Sequence, residues 1–412
     1  MPISPSRAAR AVRRLPNVED ALQDPRRPQG RVHALDGLVR LLVMGFACQK
    51  ATLRALESLA DDLSPRMRRR LGLRRPASDT TLYELLIRLD PTGFREIVYR
   101  QLRTDLDAKA VTNDVLPFGM VSFDGKGAGS GLGSAPSADC RESVCDAQGT
   151  SCWDLFCLRA CLVSSSACPV LDQEFIDGKS GEPTHFPAML KRLVAAFPKL
   201  FRLVSGDANF ASRGAATLVR ELGRDFLFCV KENRKAAYDA AVGALADAPV
   251  VAQTEERAHG QLVLRELRRA AAPIGFKALP GTAEFWSVRQ IRINASGSQE
   301  CEERIFATSL NDAALTDEQR LAVVRRHWGI ENGANWTADC ILEEDQRSPC
   351  KNGNGMVVVS WLRLLAYNLA TVFRAHIPKA DRDHSWRRAA ELLYQALIVL
   401  SVDYPGKAAT AA

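Results

Sequence analysis

The chain has 412 residues, 46% of them hydrophobic and 25% charged, which is the composition of an ordinary water-soluble globular protein. This length is too great for one small core and predicts two or three domains. The net charge of +7 is compatible with a polyanionic partner such as nucleic acid, but it does not by itself select one.

Uncharged apolar runs of about 18 residues, which a membrane-spanning helix requires, do not occur in the sequence. The most apolar early segment, residues 41–48, is far too short. Arginines near the N-terminus are not followed by an apolar core, so no secretory signal is predicted. We therefore expect a cytoplasmic protein with no membrane partner.

The N-terminal part of the chain is predicted to be basic and helical. Residues 1–31 are rich in Arg and Pro and predict a flexible basic arm. Residues 32–110 have helical apolar spacing and contain the basic run RMRRRLGLRR at residues 66–75. One helix is predicted to begin at Ser78 or Asp79 and to be stopped by Pro91. The arginines are interpreted either as DNA contacts or as a solvated surface.

Residues 111–235 predict an α/β fold. Their apolar runs give three strands, then a helix, a strand, a helix and a strand. The first strand is predicted to end at Asp124, and the strand after the first helix at Asp207.

The pattern changes again in residues 236–310. A short Ala-rich helix is followed by alternating runs that predict antiparallel strands, with a turn at His259–Gly260. This block is interpreted as a β-rich insertion. Residues 311–402 are helical and begin with a long helix capped at Thr316. We predict that this segment completes one domain with residues 111–235.

Six of the eleven cysteines lie between Cys140 and Cys168. Because no CxxC pair or paired histidines accompany them, the usual structural zinc patterns are missing. The main interpretation is that they are buried, reduced thiols, and a metal site is the alternative. Disulfides are not expected in a protein that is not secreted.

Two acids occupy similar positions in the predicted sheet. Asp124 and Asp207 each end a strand, and acids at the ends of neighbouring strands can converge at one edge of an open sheet. Either residue alone could instead be a turn residue or a helix cap.

Glu331 lies in the predicted late helix. Because residues four apart share a helix face, Glu331 forms a polar row with His327 and Asn335. Gly329 and Gly333 each cost about 1 kcal/mol of helix stability, which predicts close approach of another backbone or a ligand. A plain amphipathic helix with a solvated glutamate is the alternative.

Three separated carboxylates suit a two-metal phosphoryl-transfer site. Mg²⁺ prefers oxygen ligands, and two such ions roughly 4 Å apart can activate the attacking oxygen and stabilise the leaving one. Positioning and charge neutralisation then supply most of the catalysis, without a nucleophilic side chain.

At this point the sequence resembles the DDE transposases of bacterial insertion sequences, in the subgroup of the H-repeat-associated proteins. The late-helix segment resembles the motif HWxIEN–xxHW–xxD–xxxxED of that subgroup. Further similar segments follow in the same order along nearly the whole chain: FDGK at 123–126, GKSGEPTHFPAML at 178–190, VSGDANFAS at 204–212, FCVKEN at 228–233 and AHGQLVLREL at 258–267. The helical N-terminal part resembles the domain associated with this family.

The resemblance implies an RNase H-like mixed sheet with flanking helices, interrupted by a β-rich insertion and preceded by the helical domain. It implies that Asp124, Asp207 and Glu331 are catalytic and bind two Mg²⁺ ions, for which Mn²⁺ would substitute. The implied reaction is cleavage of double-stranded DNA at transposon ends, followed by strand transfer into target DNA. A homodimer in the active complex and a location at the bacterial nucleoid are also implied.

The resemblance also suggests DNA contacts beside the acids. The candidates are Lys126, Lys231, His327, Trp328, Asn332, Asn335 and Trp336. Solvated lysines and tryptophans of the core are the alternatives for these residue types. Asn335 stands where the subgroup motif has His, and Ala338 replaces a Lys found in the wider superfamily, which puts DNA-end contacts in doubt more than the three acids.

Other functions remain open at this stage. A catalytically decayed or repurposed sequence-specific DNA-binding protein is the main alternative, although all three acids are present. A metal-dependent nuclease without strand transfer is the second. A zinc-binding regulator built on the cysteine cluster is the third.

Overall fold

The computed structural model describes residues 17–401, except residues 19, 259, 312, 314, 346–347 and 378–384. Most of the predicted basic arm, together with His259 of the predicted turn, lies outside the described residues. Gly260, the second residue of that turn, has a φ of 75°, which favours glycine.

The N-terminal part is helical, as predicted. Its helices are α1 (Leu35–Ala47), α2 (Leu53–Asp62), α3 (Pro65–Leu71), α4 (Asp79–Leu86) and α5 (Phe94–Asp107). Ser78 is the N-cap of α4, and its hydroxyl accepts a hydrogen bond from the Thr81 amide at 3.3 Å. The helix ends before Pro91, which begins a separate short turn.

The strands of the described chain form one ten-stranded mixed sheet, in the order β2-β3-β1-β5-β6-β10-β9-β8-β7, with β4 also paired to β3. They are β1 (Met120–Leu132), β2 (Cys140–Val144), β3 (Ser151–Leu162), β4 (Val170–Ile176), β5 (Leu203–Gly206), β6 (Asp225–Val230), β7 (Val250–Ala258), β8 (Gln261–Ala271), β9 (Glu284–Ile293) and β10 (Gln299–Thr308).

The central part of this sheet has the RNase H-like arrangement. Strands β1, β3 and β4 are antiparallel neighbours, whereas β5 and β6 run parallel to β1 on its other side. Helices α6 (Glu182–Ala196) and α7 (Arg213–Glu221) make the connections into the parallel strands. The α/β fold class is confirmed, and the predicted elements follow in the predicted order, but β2 is an additional strand that was not predicted.

The β-rich block follows helix α8 (Lys235–Leu245). Strands β7 to β10 form a meander, and β10 pairs antiparallel with β6. The insertion therefore extends the central sheet sideways, which brings its polar side chains towards the helix that follows it.

The prediction of one long helix after Thr316 is wrong. Thr316 does form a capping box with Gln319 at the start of α9 (Asp317–His327), but the helix then widens into a π-helix, Ile330–Asn335, before α10 (Trp336–Cys340). Gly329 and Gly333, which both disfavour a regular α-helix, flank and interrupt this turn. The polar row of the sequence therefore follows a wider turn.

Helices α11 (Gly353–Ala375) and α12 (Trp386–Ser401) complete the described chain. By length and composition α11 could cross a membrane, and among the described residues it is the one helix that could. Its apolar window is wholly buried inside the protein, which is typical of a core helix.

Candidate functional site

Asp124 and Asp207 lie side by side in the sheet. Strands β1 and β5 pair in parallel as far as Phe123 and Gly206, and the two acids are the next residues on each strand. Neighbouring strands are about 4.8 Å apart, so this register places the two acids next to each other. The prediction that the first strand ends at Asp124 is wrong, because β1 continues to Leu132, but β5 does end one residue before Asp207.

Two serines dock the glutamate-bearing segment onto this part of the sheet. Ser122 and Ser205 precede the acids by two residues and therefore lie on the same faces of their strands. The Ser122 hydroxyl donates to the His327 carbonyl oxygen at 3.2 Å, and the Ser205 hydroxyl lies 3.3 Å from His327 Nδ1. Since His327 ends α9, these contacts hold the start of the π-helix above the acids.

The electrostatics of Asp124 show that the acids are close enough to interact. Burial, and after it the carboxylates of Glu331, Glu182 and Asp207, raise the pKa of Asp124 to about 7. A hydrogen bond from Asn335 Nδ2 to Asp124 Oδ2 at 2.8 Å acts in the opposite direction. The site therefore brings several carboxylates close to Asp124.

The donor chemistry of these residues suits a hard divalent cation. Carboxylate and amide oxygens are the ligands that Mg²⁺ prefers. Asn335 Oδ1 is buried and accepts no hydrogen bond from any residue that the structure describes. Within the same residues, no three His, Cys, Asp or Glu side chains are already arranged as a metal-binding group. The acids fit a cation by their chemistry and would have to move closer together to share one.

Of the two glycines in this segment, one lies so close to a neighbouring residue that a side chain there would be crowded. A Cβ at Gly329 would lie 3.3 Å from Cγ1 of Val163, the residue after β3, which is a tight approach, whereas one at Gly333 would lie 3.9 Å from the Cys168 sulfur. Close approach is therefore observed at Gly329, and ordinary packing at Gly333. Wide turns of this kind occur often at functional sites.

Lys126 is held in a buried cluster of ion pairs, and its predicted DNA contact stays a prediction. Its side chain is only 4% exposed, and its ammonium group binds the carboxylates of Asp339 and Glu344, the latter at 3.0 Å. Glu344 also accepts a 2.7 Å hydrogen bond from Arg159 on β3. Lys126 therefore ties β1 to the segment that follows Glu331.

The predicted DNA contacts of His327 and Asn335 likewise stay predictions. Both residues are more than nine-tenths buried. Burial, and after it the nearby Arg304 and Lys231, lower the pKa of His327 to about 4, so the ring is neutral at neutral pH. Its ring packs edge-on against Phe306, and the amide of Asn335 is bound to Asp124.

The other predicted DNA contacts remain predictions. Trp336 is 49% exposed, and Asn332 and Lys231 are exposed as well. Trp328 is partly buried and packs against Phe306. Asn332 and Trp328 line an open cleft of about 350 Å³ beside Glu331.

Strands β8 to β10 and helix α9 supply arginines to this cleft, and they were not singled out from the sequence. They are Arg265, Arg292, Arg304 and Arg325. Each has an acidic partner, with separations that include 2.7 Å from Arg265 to Glu256 and 2.8 Å from Arg325 to Glu256. The insertion therefore lines the cleft beside Glu331 with arginines that are paired with glutamates.

The sequence analysis also missed the roles of Glu182, Asp339 and Glu344. Asp339 and Glu344 match acids of the motif that carries the resemblance, which was the available signal for them. Glu182 lies in the segment GKSGEPTHFPAML, and nothing in that segment marks it as a neighbour of Asp124.

The prediction of buried, reduced thiols holds for three of the six cysteines of the cluster. All cysteines are free thiols, and Cys140, Cys157 and Cys161 are buried. Cys145 is exposed, and Cys152 and Cys168 are partly buried. No disulfide joins the described cysteines, and the described residues hold no preformed metal group, so the structure gives no support to a zinc-binding regulator.

Two family descriptions match the chain. Residues 153–369 match the family described as "Transposase DDE domain". Residues 20–101 match the one described as "DDE_Tnp_1-associated". The first match contains Asp207 and Glu331 and begins after Asp124.

Two curated proteins of Escherichia coli (strain K12) are similar to the chain. "Putative protein YbfL" is 27% identical over 231 residues, and "H repeat-associated putative transposase YhhI" is 26% identical over 234 residues. Each match covers 52% of this chain and 58% of the relative, so the chain spans little more than half of the length of either. A cryo-EM structure of the piggyBac transposase synaptic complex with hairpin DNA is 11% identical, with a TM-score of 0.49 over 97% of this chain and 82% of that one.

Proposed function

The chain belongs to the Transposase DDE domain family, and from that premise we propose that it cuts DNA at the ends of a mobile element and joins them to target DNA. One observation carries the proposal. Asp124 and Asp207 follow the same paired position of two parallel strands, and the segment with Glu331 is docked over them by Ser122 and Ser205.

The proposed catalytic residues are Asp124, Asp207 and Glu331, which would hold two Mg²⁺ ions, or Mn²⁺ in their place. When bound, such ions make the attacking oxygen more nucleophilic and stabilise the leaving oxygen of an in-line displacement. Asn335 orients the Asp124 carboxylate through its amide. Lys126 and Glu344 keep β1 and the glutamate-bearing segment together.

The proposed substrate is double-stranded DNA. The arginines of the cleft beside Glu331 would contact phosphates, because a guanidinium pairs with phosphate through a fixed pair of donors. Asn332 of the π-helix and Trp336, the first residue of α10, are exposed and would contact a distorted DNA end. A homodimer that holds both element ends is part of the proposal.

Cleavage of the element's own ends is the experiment that tests this function. The purified chain is incubated with a supercoiled plasmid that carries its coding region and native flanking DNA, and the broken positions are mapped. We expect Mg²⁺-dependent breaks at short inverted repeats in the flanks, lost when EDTA is added. A plasmid without the flanks is the matched control.

Two outcomes would contradict the proposal. Sequence-specific binding of the flanks without cleavage, in Mg²⁺ or Mn²⁺, would favour a decayed or repurposed DNA-binding protein. Equal cleavage of plasmids with and without the flanks would favour a nuclease that has no strand-transfer role.

A further inference from the structure

A fourth acid, Glu182, reaches the strand that carries Asp124. Glu182 is the first residue of α6 and is 2% exposed. A Cβ built on Gly125 would lie 2.0 Å from Glu182 Oε1, so the carboxylate occupies the space that a side chain at position 125 would fill. Because Gly125 has no side chain, the Glu182 carboxylate can lie against β1 beside Asp124.

Glu182 is also connected to Asp207 through one residue. Asn209 Nδ2 donates to Glu182 Oε2 at 3.2 Å. The backbone N–H of Asn209 donates to Asp207 Oδ1 at 2.8 Å. Any shift of the Glu182 carboxylate is therefore transmitted to the loop that holds Asp207.

An aromatic cluster fixes these neighbours relative to one another. Phe123 packs edge-on against Phe186 at 4.9 Å between ring centres, and Phe186 lies 5.3 Å from Phe210. Phe123 precedes Asp124, Phe186 lies one helical turn after Glu182, and Phe210 follows Asp207 by three residues. All three rings are fully buried, so the first turn of α6 is held rigidly against the site.

One further observation points to a bound cation. Asn335 binds Asp124 through its amide nitrogen, and its buried Oδ1 accepts no hydrogen bond from the described residues. A positive ion near Asp124 would offer that amide oxygen a partner.

We propose that Glu182 is a fourth carboxylate of this site and a positioning residue for its divalent cation. Its carboxylate would add negative charge next to Asp124. Its hydrogen bond with Asn209 would hold the loop that contains Asp207. The proposal rests on the proposed function. The competing explanation is that Glu182 only stabilises the positive N-terminal end of α6.

The test compares Glu182→Gln with wild type in the full-length protein. Mn²⁺ affinity is measured by electron paramagnetic resonance, and cleavage is followed against Mg²⁺ concentration. We expect Glu182→Gln to raise the Mn²⁺ dissociation constant and the half-saturating Mg²⁺ concentration by about tenfold. Cleavage should recover at saturating Mg²⁺, because the three proposed ligands are intact. Glu318→Gln is the matched control, since Glu318 is an exposed glutamate in the first turn of α9.

Gly125→Ala is a second variant that keeps every charge. The three atoms nearest to its new methyl group would all belong to the Glu182 side chain, which would have to move. We expect cation affinity to fall in the same direction as in Glu182→Gln, with circular dichroism unchanged.

Unchanged cation affinity in both variants would overturn the proposal. If Glu182→Gln lowers the melting temperature without changing cation affinity, the role of Glu182 is to stabilise the N-terminal end of α6. Glu331→Gln separates this result from failure of the proposed function. If Glu331→Gln weakens Mn²⁺ binding and Glu182→Gln does not, only the role of Glu182 is lost. If wild type and Glu331→Gln bind Mn²⁺ equally weakly, the proposed metal site itself is wrong.

Discussion

Glu331→Gln is expected to stop Mg²⁺-dependent cleavage of the element ends while the fold and DNA binding persist. Glutamine has nearly the same shape as glutamate but lacks the negative charge that would hold a cation beside Asp124. We expect the cleavage rate to fall by at least about 100-fold, since even the outer partners of metal sites are worth roughly 10–100-fold. Initial rates on end-containing plasmid measure the effect.

Three controls separate a loss of catalysis in Glu331→Gln from a loss of folding or of DNA binding. Glu331 is exposed, so Glu331→Gln should melt at the wild-type temperature. Binding to end DNA, measured with Ca²⁺ in place of Mg²⁺, should also be unchanged. Glu318→Gln should cut at the normal rate. Cleavage by Glu331→Gln at a rate near wild type would remove Glu331 from the catalytic assignment.

Among the variants named for this protein, Glu344→Gln is expected to cause the largest decrease in the free energy of unfolding. Glu344 is 1% exposed and pairs with Arg159 at 2.7 Å and with Lys126 at 3.0 Å. Removing one partner of a buried ion pair leaves the other charges uncompensated, at a cost of about 3–5 kcal/mol. The urea midpoint of unfolding at pH 7 measures this loss. Glu221→Gln, an exposed acid at the end of α7, should leave the midpoint unchanged.

The stabilisation that Glu344 provides through its ion pairs is expected to fall as the pH is lowered. Although burial acts to raise it, the pKa of Glu344 is lowered to about 2 from an ordinary 4.5 by Arg159 and Lys126. The unfolded chain therefore takes up a proton first, and the stabilisation is complete above about pH 4.5 and is lost as the pH falls towards 2. The difference in midpoint between wild type and Glu344→Gln should shrink across that window. A constant difference from pH 7 down to pH 3 would contradict the assignment.

The sequence predicted the elements of the site better than their contacts. Apolar runs located the strands, and an acid after each run indicated that Asp124 and Asp207 meet at one edge. Glu331 was singled out as an isolated acid on a glycine-marked helix, with a solvated glutamate as the alternative, and the resemblance then implied its role. The π-helix was missed because two glycines lower helix propensity without specifying which irregular turn results.

Side-chain partners far apart in sequence could not be predicted. Lys126 meets Asp339 and Glu344 across 213 and 218 residues, and only the folded sheet brings them together. A lysine beside a proposed active-site acid suggests phosphate binding, and nothing in the sequence indicated that this lysine would be buried between two carboxylates. The same holds for Glu182, whose approach to Asp124 depends on the absence of a side chain at Gly125.

The central claim is that Asp124, Asp207 and Glu331 form one metal-dependent DNA-cutting site. Anomalous X-ray scattering from Mn²⁺, in crystals of the full chain with its end DNA, tests it most directly. We predict Mn²⁺ bound by Asp124 together with Asp207 and Glu331, next to the phosphate that is cut. Mn²⁺ bound elsewhere, with the three carboxylates apart in a complex that still cleaves DNA, would contradict the account.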